Sequence, residues 1–201
     1  MNVAIVKYNA GNIRSVINAV RRLGVEPVYT DEADVLQRAD RVIFPGQGEA
    51  STAMAYLREH GLVDIIRSLR QPVLGICIGQ QLLCRHSEEG NTECMGIFRT
   101  DVRRFRPERH EDKVPVMGWN TITNVKTPLF NGLAGNEAGG KPYVYFVHSY
   151  YCPICEDTIA ESHHILSYSA ALHHENFYAT QFHPEKSGDV GEQILRNFLT
   201  L

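Results

Sequence analysis

Short apolar runs alternate with amphipathic stretches through the first 85 residues. Val3–Val6 is apolar and is followed by Lys7, a length that suits a strand buried on both faces. After Gly11-Asn12, Ile13, Val16, Ile17, Val20 and Leu23 recur at helical spacing, and Gly24 is placed to end that helix. Residues 25–29 read as a second strand, 34–39 as a short helix, and Arg41–Phe44 as a third strand running into Pro45-Gly46-Gln47-Gly48. Helices over 51–57 and 62–69 lead to a fourth apolar run, Val73–Ile76. Such alternation predicts an α/β fold, a three-layer sandwich whose mainly parallel sheet is covered by helices on both faces. In that architecture ligands gather at the carboxyl ends of the strands, an edge that here carries residues 8–12, 45–48 and Cys77.

The second half is patterned differently. Residues 86–91 are polar and read as a loop, while 100–105 and 114–123 read as β structure. A turn-rich segment, 131–141, precedes a strand at 143–147, and added strands follow near 158–161, 165–172 and 177–182. A last helix begins at Gly188 with Val190, Ile194, Leu195 and Phe198 on one face. No repeat, linker or low-complexity stretch interrupts the chain. At 201 residues it suits one sizeable core and is short for two, so a single domain over 1–201 is expected.

Charge narrows the partners. The net charge is −3 with both signs interspersed, which leaves no basic footprint for nucleic acid. Lys7 cuts the first apolar run far short of a signal-peptide core and no later run reaches membrane length, so a cytoplasmic protein without membrane contact is expected. Five cysteines, an odd count, fit reduced thiols in such a compartment.

Candidate chemistry centres on Gly75-Ile76-Cys77-Ile78-Gly79, where a strand meets a helix. Glycines two residues to either side of Cys77 make the pattern of a nucleophile elbow with cysteine in place of serine. The helix N-terminus favours a thiolate, and the Ile78 N–H is placed to face an oxyanion. A buried structural cysteine is the competing reading. A nucleophile needs a base, and among nine histidines His183 stands out because it ends a strand, with Pro184 holding the chain extended and Glu185 on the same side to orient the imidazole. Cys77, His183 and Glu185 then follow the logic of an acyl-transfer triad. In Pro45-Gly46-Gln47-Gly48, the peptide carrying the Gln47 N–H can rotate toward or away from an oxyanion at little steric cost. Gln81, four residues after Cys77, shares its helix face and can grip a substrate.

With those residues in view, Gly75 through Gln81, the 45–48 loop and His183-Pro184-Glu185 resemble a class I (triad) glutamine amidotransferase over nearly the whole chain. Residues 8–13, 117–120, 145–150 and 183–188 are similar to the branch of that family that supplies glutaminase subunits to imidazole glycerol phosphate synthase. The resemblance implies hydrolysis of glutamine through a cysteine thioester, with no cofactor, and transfer of ammonia to a cyclase subunit in a heterodimer. It implies that Gly46, Gln47, Gly48, Ile78, Gln81, His148, Ser149 and Tyr150 bind substrate, and that Asn12, Trp119, Asn120, Tyr143 and Lys186 face the synthase. Trp119 follows a glycine in a short β segment and reads either as a partner anchor or as a core tryptophan. A related amidotransferase of another pathway, or a non-catalytic subunit of the same fold, are the alternatives. Two features depart from the family pattern. Lys7 stands where an acidic residue is usual, and Cys152-Pro153-Ile154-Cys155 is foreign to it. That pair could be half a zinc site, with His163 and His164 or His173 and His174 as completions, but a second close-spaced pair at finger-like spacing is missing and adjacent histidines on a strand point to opposite faces, so no metal is expected.

Overall fold

The computed structural model describes residues 1–9, 11, 13–133 and 140–201, so Asn12 and most of the turn-rich 131–141 segment lie outside the described residues. Strands β1 (Val3–Val6), β2 (Val28–Thr30), β3 (Arg41–Phe44) and β4 (Val73–Ile76) alternate with helices α1 (Arg14–Arg22), α2 (Ala33–Arg38), α3 (Ala50–Glu59) and α4 (Leu62–Ser68). Helix α5 (Ile78–Leu82) follows β4 directly. The second half contributes β5 (His86–Ser87), β6 (Thr92–Glu93), β7 (Asp101–Arg104), β8 (Val116–Thr121), β9 (Tyr143–His148) and β10 (Tyr150–Tyr151). It ends with β11 (Thr158–His164), β12 (Leu166–His174), β13 (Phe177–Thr180) and helix α6 (Gly188–Thr200).

The central sheet has seven strands in the order β11-β12-β13-β4-β3-β1-β2. Its β13-β4-β3-β1-β2 part is parallel, and β12 and β11 extend it antiparallel. Because helices cover both faces, the inner strands are apolar at successive positions and not at alternate ones. Ala4, Val6, Val42, Phe44 and Val73 pack with Leu36 of α2, Met54 and Leu57 of α3 and Ile66 of α4. Val3, Ile5, Ile43, Leu74 and Ile76 face the opposite layer, with Val16 and Val20 of α1 and Ile194, Leu195 and Phe198 of α6. Each large side chain so buried contributes roughly 1.5–3 kcal/mol. Two small sheets, β10-β7-β5-β6 and the antiparallel pair β8-β9, complete the molecule.

Several boundaries differ from the sequence reading by a few residues, and two regions differ in kind or register. The 86–91 segment contains β5, which pairs with β6 and β7 over only two residues, too short for any periodicity to announce it. The second strand covers Val28–Thr30 and not 25–29, because its register on β1 sets Ala4 opposite Val28 and Val6 opposite Thr30. Since β1, β3, β4 and β13 run parallel, their carboxyl ends share one edge, which places Tyr8, the 45–48 loop, Cys77 and the residues after Thr180 together.

Candidate active site

The nucleophile position is built by one strand-to-helix turn. The pairing of β4 continues one residue past its end, with the Cys77 N–H donating to the Thr180 carbonyl at 2.8 Å. The chain then turns at Cys77, whose φ of 55° and ψ of −107° are unusual for a residue with a side chain. Such a conformation costs on the order of 1–3 kcal/mol and persists only where its surroundings over-determine it. Gly79 is one of the constraints. A Cβ there would fall on the Phe44 carbonyl oxygen, so only glycine lets α5 rest against the end of β3. Ile78 begins α5, and its N–H belongs to the first helical turn, where amides have no intrahelical acceptor.

The base arrives from the other side. Beyond Thr180 the Gln181 N–H still pairs with the Ala170 carbonyl at 2.8 Å, and two residues on the His183 N–H donates to Tyr145 of β9 at 2.9 Å. Ser187 fastens this junction, accepting the Tyr145 N–H at 2.9 Å and donating its hydroxyl to the His183 carbonyl at 2.6 Å. His183 Nδ1 lies 2.8 Å from Glu185 Oε1, with side chains only 3% and 2% exposed. The expected extended chain after Pro184 does not occur. Pro184–Lys186 is a 3-10 turn, and this turn folds Glu185 back against the imidazole. Burial alone would lower the His183 pKa, but the Cys77 sulfur, by charge and hydrogen bond, and then Glu185 outweigh it and push it up to about 10. With Nδ1 committed to Glu185, Nε2 is left for the sulfur.

A cavity of about 410 Å³ opens over Cys77 and His183, and Gln47, Gly48, Ile78, Gln81, His148, Ser149 and Tyr150 line it. Lys186 reaches the same wall, although the sequence reading assigned it to a partner surface. Gly46 lies behind, where a Cβ would collide with Ile78 Cγ2 and the Tyr8 hydroxyl, and that hydroxyl donates to the Pro45 carbonyl at 2.5 Å. The Gln47 carbonyl accepts the Gly11 N–H at 3.0 Å, while Gly48 holds a φ of 138° with open space around it. His148 Nδ1 lies 2.7 Å from the Tyr150 carbonyl, and burial pulls its pKa down to about 4.

Two residues escaped the sequence reading. Glu89 lines the cavity and accepts the Ala50 N–H at 2.8 Å, which places a carboxyl oxygen where a ligand's ammonium group can meet it, although burial raises its pKa. It fell in a segment read as a polar loop, with no signal beyond the Glu88-Glu89-Gly90 run. Gln181 hydrogen-bonds both Gln81 and the Cys77 sulfur. The two-residue alternation that marks one side of an extended chain would have found it, since Gln181 precedes His183 by two.

Three of the expected partner residues, Trp119, Asn120 and Tyr143, lie elsewhere. Trp119, Tyr143 and Met117 are 56%, 46% and 67% exposed on the β8-β9 pair, so Trp119 is no core residue. Asn120 commits both ends of its amide within the chain, to the His163 carbonyl and the Thr121 N–H, and Asn12 is outside the described residues. Cys152 is buried 3.5 Å from Cys84 Sγ, and Cys155 accepts from Thr158 Oγ1 at 3.7 Å. His164, His173 and His174 bond the Lys113 carbonyl, the Glu175 carbonyl and Asp157. Among the described residues no three His, Cys, Asp or Glu side chains are grouped to hold a metal ion. No helix among them is long and apolar enough to cross a membrane.

The geometry agrees with what comparison with known proteins finds. Residues 4–201 match the family model described as glutamine amidotransferase class-I. The chain is 61% identical over 201 residues to the imidazole glycerol phosphate synthase subunit HisH of Bacteroides fragilis, covering all of both chains. Against the protein of that name from Pectobacterium atrosepticum the identity is 42% over 202 residues, again with full coverage of both. Among solved structures, a crystal structure of a glutamine amidotransferase superposes with a TM-score of 0.71 at 22% identity, over 98% of this chain and 97% of that one. The structure of PurLQS from Thermotoga maritima gives 0.70 at 18% identity, over 99% and 97%. With a cysteine elbow, an adjoining His-Glu pair and this match along almost its entire length, the chain belongs to the class I glutamine amidotransferase family.

Proposed function

We propose that residues 1–201 act as one amidotransferase domain, the glutaminase subunit of imidazole glycerol phosphate synthase. The observation that carries the reading is that Cys77 and His183 line one cavity with Glu185 hydrogen-bonded to His183, in a chain 61% identical end to end with a protein of that name. In this mechanism the Cys77 thiolate attacks the side-chain carbonyl carbon of glutamine. The tetrahedral oxyanion is met by the Ile78 N–H and by the Gln47 N–H once its peptide has turned. The His183 imidazolium gives its proton to the departing nitrogen, ammonia leaves, and a thioester remains on the sulfur. His183, now neutral, takes a proton from water, and the resulting attack on the thioester releases glutamate. Glu185 holds the imidazole in the required tautomer throughout.

Substrate selection follows from the walls. Glu89 meets the α-ammonium group, Gly48, Ser149 and Tyr150 hold the backbone end of glutamine, and Gln81 reads the side-chain amide. His148 fixes the Tyr150 carbonyl. Ammonia then passes to a cyclase subunit docked on the β8-β9 face through Trp119 and Tyr143, with Asn120 on the same strand pair and with Asn12 and Lys186 as further contacts implied by the family resemblance, in a cytoplasmic heterodimer serving histidine biosynthesis. Docking, with nucleotide on the cyclase, favours the turned state of the Gln47 peptide, so the isolated subunit idles.

The test is glutamine turnover by the purified chain alone and with the cyclase and its nucleotide substrate. Turnover is expected to be low alone and strongly stimulated in the complex. Cys77→Ala abolishes glutamine-dependent synthesis and leaves ammonia-dependent synthesis intact, whereas retained glutaminase activity in that variant would refute the assignment. Gly48→Ala is the clean probe of the loop, because its φ alone resists a side chain, while Gly46→Ala would also disturb packing against Tyr8 and Ile78. Losing one oxyanion donor costs on the order of a hundredfold to a thousandfold in turnover.

A further inference from the structure

Gln181 is fully buried, yet among the described residues its side chain makes its polar contacts with catalytic or substrate-facing groups and none with the scaffold. Its Oε1 accepts from Gln81 Nε2 at 3.0 Å, and its Nε2 donates to Cys77 Sγ at 3.7 Å. The Gln81 amide nitrogen also donates to the Tyr150 carbonyl at 3.2 Å. A primary amide has two N–H donors and one carbonyl. Both donors of Gln81 are therefore spent inside the protein, and its carbonyl oxygen is the end available to a ligand.

Around the sulfur the same logic holds. The Cys77 thiol has the Val147 carbonyl as an acceptor at 3.7 Å, an arrangement that suits the protonated form. The Gln181 N–H acts in the opposite sense, since a donor aimed at sulfur stabilises the thiolate. His183, the base itself, also hydrogen-bonds the sulfur, while the Tyr8 hydroxyl is spent on the Pro45 carbonyl.

We propose that Gln181 is a positioning residue with two tasks, holding the Cys77 sulfur as a thiolate aimed into the cavity and fixing the amide of Gln81 with its carbonyl toward the substrate. The second task rests on the glutaminase reading, and the first does not. Because the Gln181 backbone is pinned by its bond to Ala170 and its side chain has no other partner among the described residues, both tasks are set before substrate arrives. Gln81 so presented accepts a hydrogen bond from the NH₂ of a carboxamide. A carboxylate in the same place would set its own oxygen against that carbonyl, which gives the pocket a physical reason to release glutamate.

Two substitutions separate the tasks. Gln181→Met has similar length and no polar atoms, while Gln181→Glu keeps an acceptor for Gln81 and removes the donor to sulfur. The readouts are KM and kcat for glutamine in the complex with the cyclase, and the pH dependence of iodoacetamide alkylation at Cys77, followed by peptide mass spectrometry on the full chain. In both variants the alkylation curve is expected to move to higher pH and kcat to fall. KM should rise at least about tenfold in Gln181→Met, the loss expected when one substrate-facing group is no longer held in place, and change little in Gln181→Glu. An unmoved alkylation curve in either folded variant would overturn the first task, and an unmoved KM in Gln181→Met the second. If Gln181→Met fails to fold, Gln181→Glu and its alkylation curve decide the first task. The second is then read from Gln181→Leu. Alkylation needs no glutaminase activity, so failure of the functional reading, seen as absent turnover in the wild-type complex, is distinguishable from failure of this one.

Discussion

The floor of the cavity and the β8-β9 face solve opposite problems with neighbouring residues. Around Cys77 and His183 the side chains are buried and bonded to one another, and a strained turn is held between β4 and α5. On β8-β9, Met117, Trp119 and Tyr143 stand in the open with large apolar surfaces. A reacting group gains from being fixed before substrate binds, whereas an anchor for another chain must keep its surface free until docking. The two regions meet at Tyr145. Its ring lies edge-on to Trp119 at a centroid distance of 5.9 Å, and its backbone bonds both the His183 N–H and the Ser187 hydroxyl. A displacement of β9 would therefore bear directly on the base.

If the cavity floor is over-determined, small added volume there should be costly. Gly79→Ala must push α5 off the Phe44 carbonyl, and overpacking of this kind costs about 1–3 kcal/mol, occasionally more. The expected result is a clear drop in Tm with loss of glutaminase activity. An unchanged melting curve would show that the elbow has slack and would weaken the contrast. On the open face the reverse should hold. Trp119→Ala is expected to weaken cyclase binding by about 2 kcal/mol, measured by titration calorimetry, with Tm of the free chain within a few degrees of wild type. A collapsed Tm would mean that the ring supports the fold and is no free anchor.

A third test of the contrast uses pH. His148, pulled down to about 4 by burial, is held neutral in the folded chain, whereas in the unfolded chain it titrates near the ordinary 6.5. Its contribution is therefore complete above pH 6.5 and is lost as the pH falls from there through 4, an effect on the order of 2–3 kcal/mol. Urea denaturation across that window should show the loss in the wild type. In His148→Gln, which keeps a donor for the Tyr150 carbonyl, the loss should be smaller. Equal slopes would place the acid sensitivity elsewhere.

The chain's own order determined a great deal. The inner strands could be read because parallel strands covered on both faces must be apolar at every position, and the elbow because Gly75, Cys77 and Gly79 fall within five consecutive residues. His183 and Glu185 are likewise two residues apart. Their contact was legible, although the 3-10 turn that makes it was not. What tertiary structure alone decided is everything set by separation along the chain. Gln181 meets Cys77 across 104 positions, Gln81 meets Gln181 across 100, and Glu89 is brought to the cavity wall by β5, a strand of two residues. Whether Trp119 faces a core or open solvent also depended on which side of β8 the helices cover, and alternation in one strand gives two faces without saying which is buried. Local periodicity reports the element a residue belongs to. Hydrogen-bond partners across the sheet edge come from the order in which strands assemble, and no window of neighbouring residues contains that order.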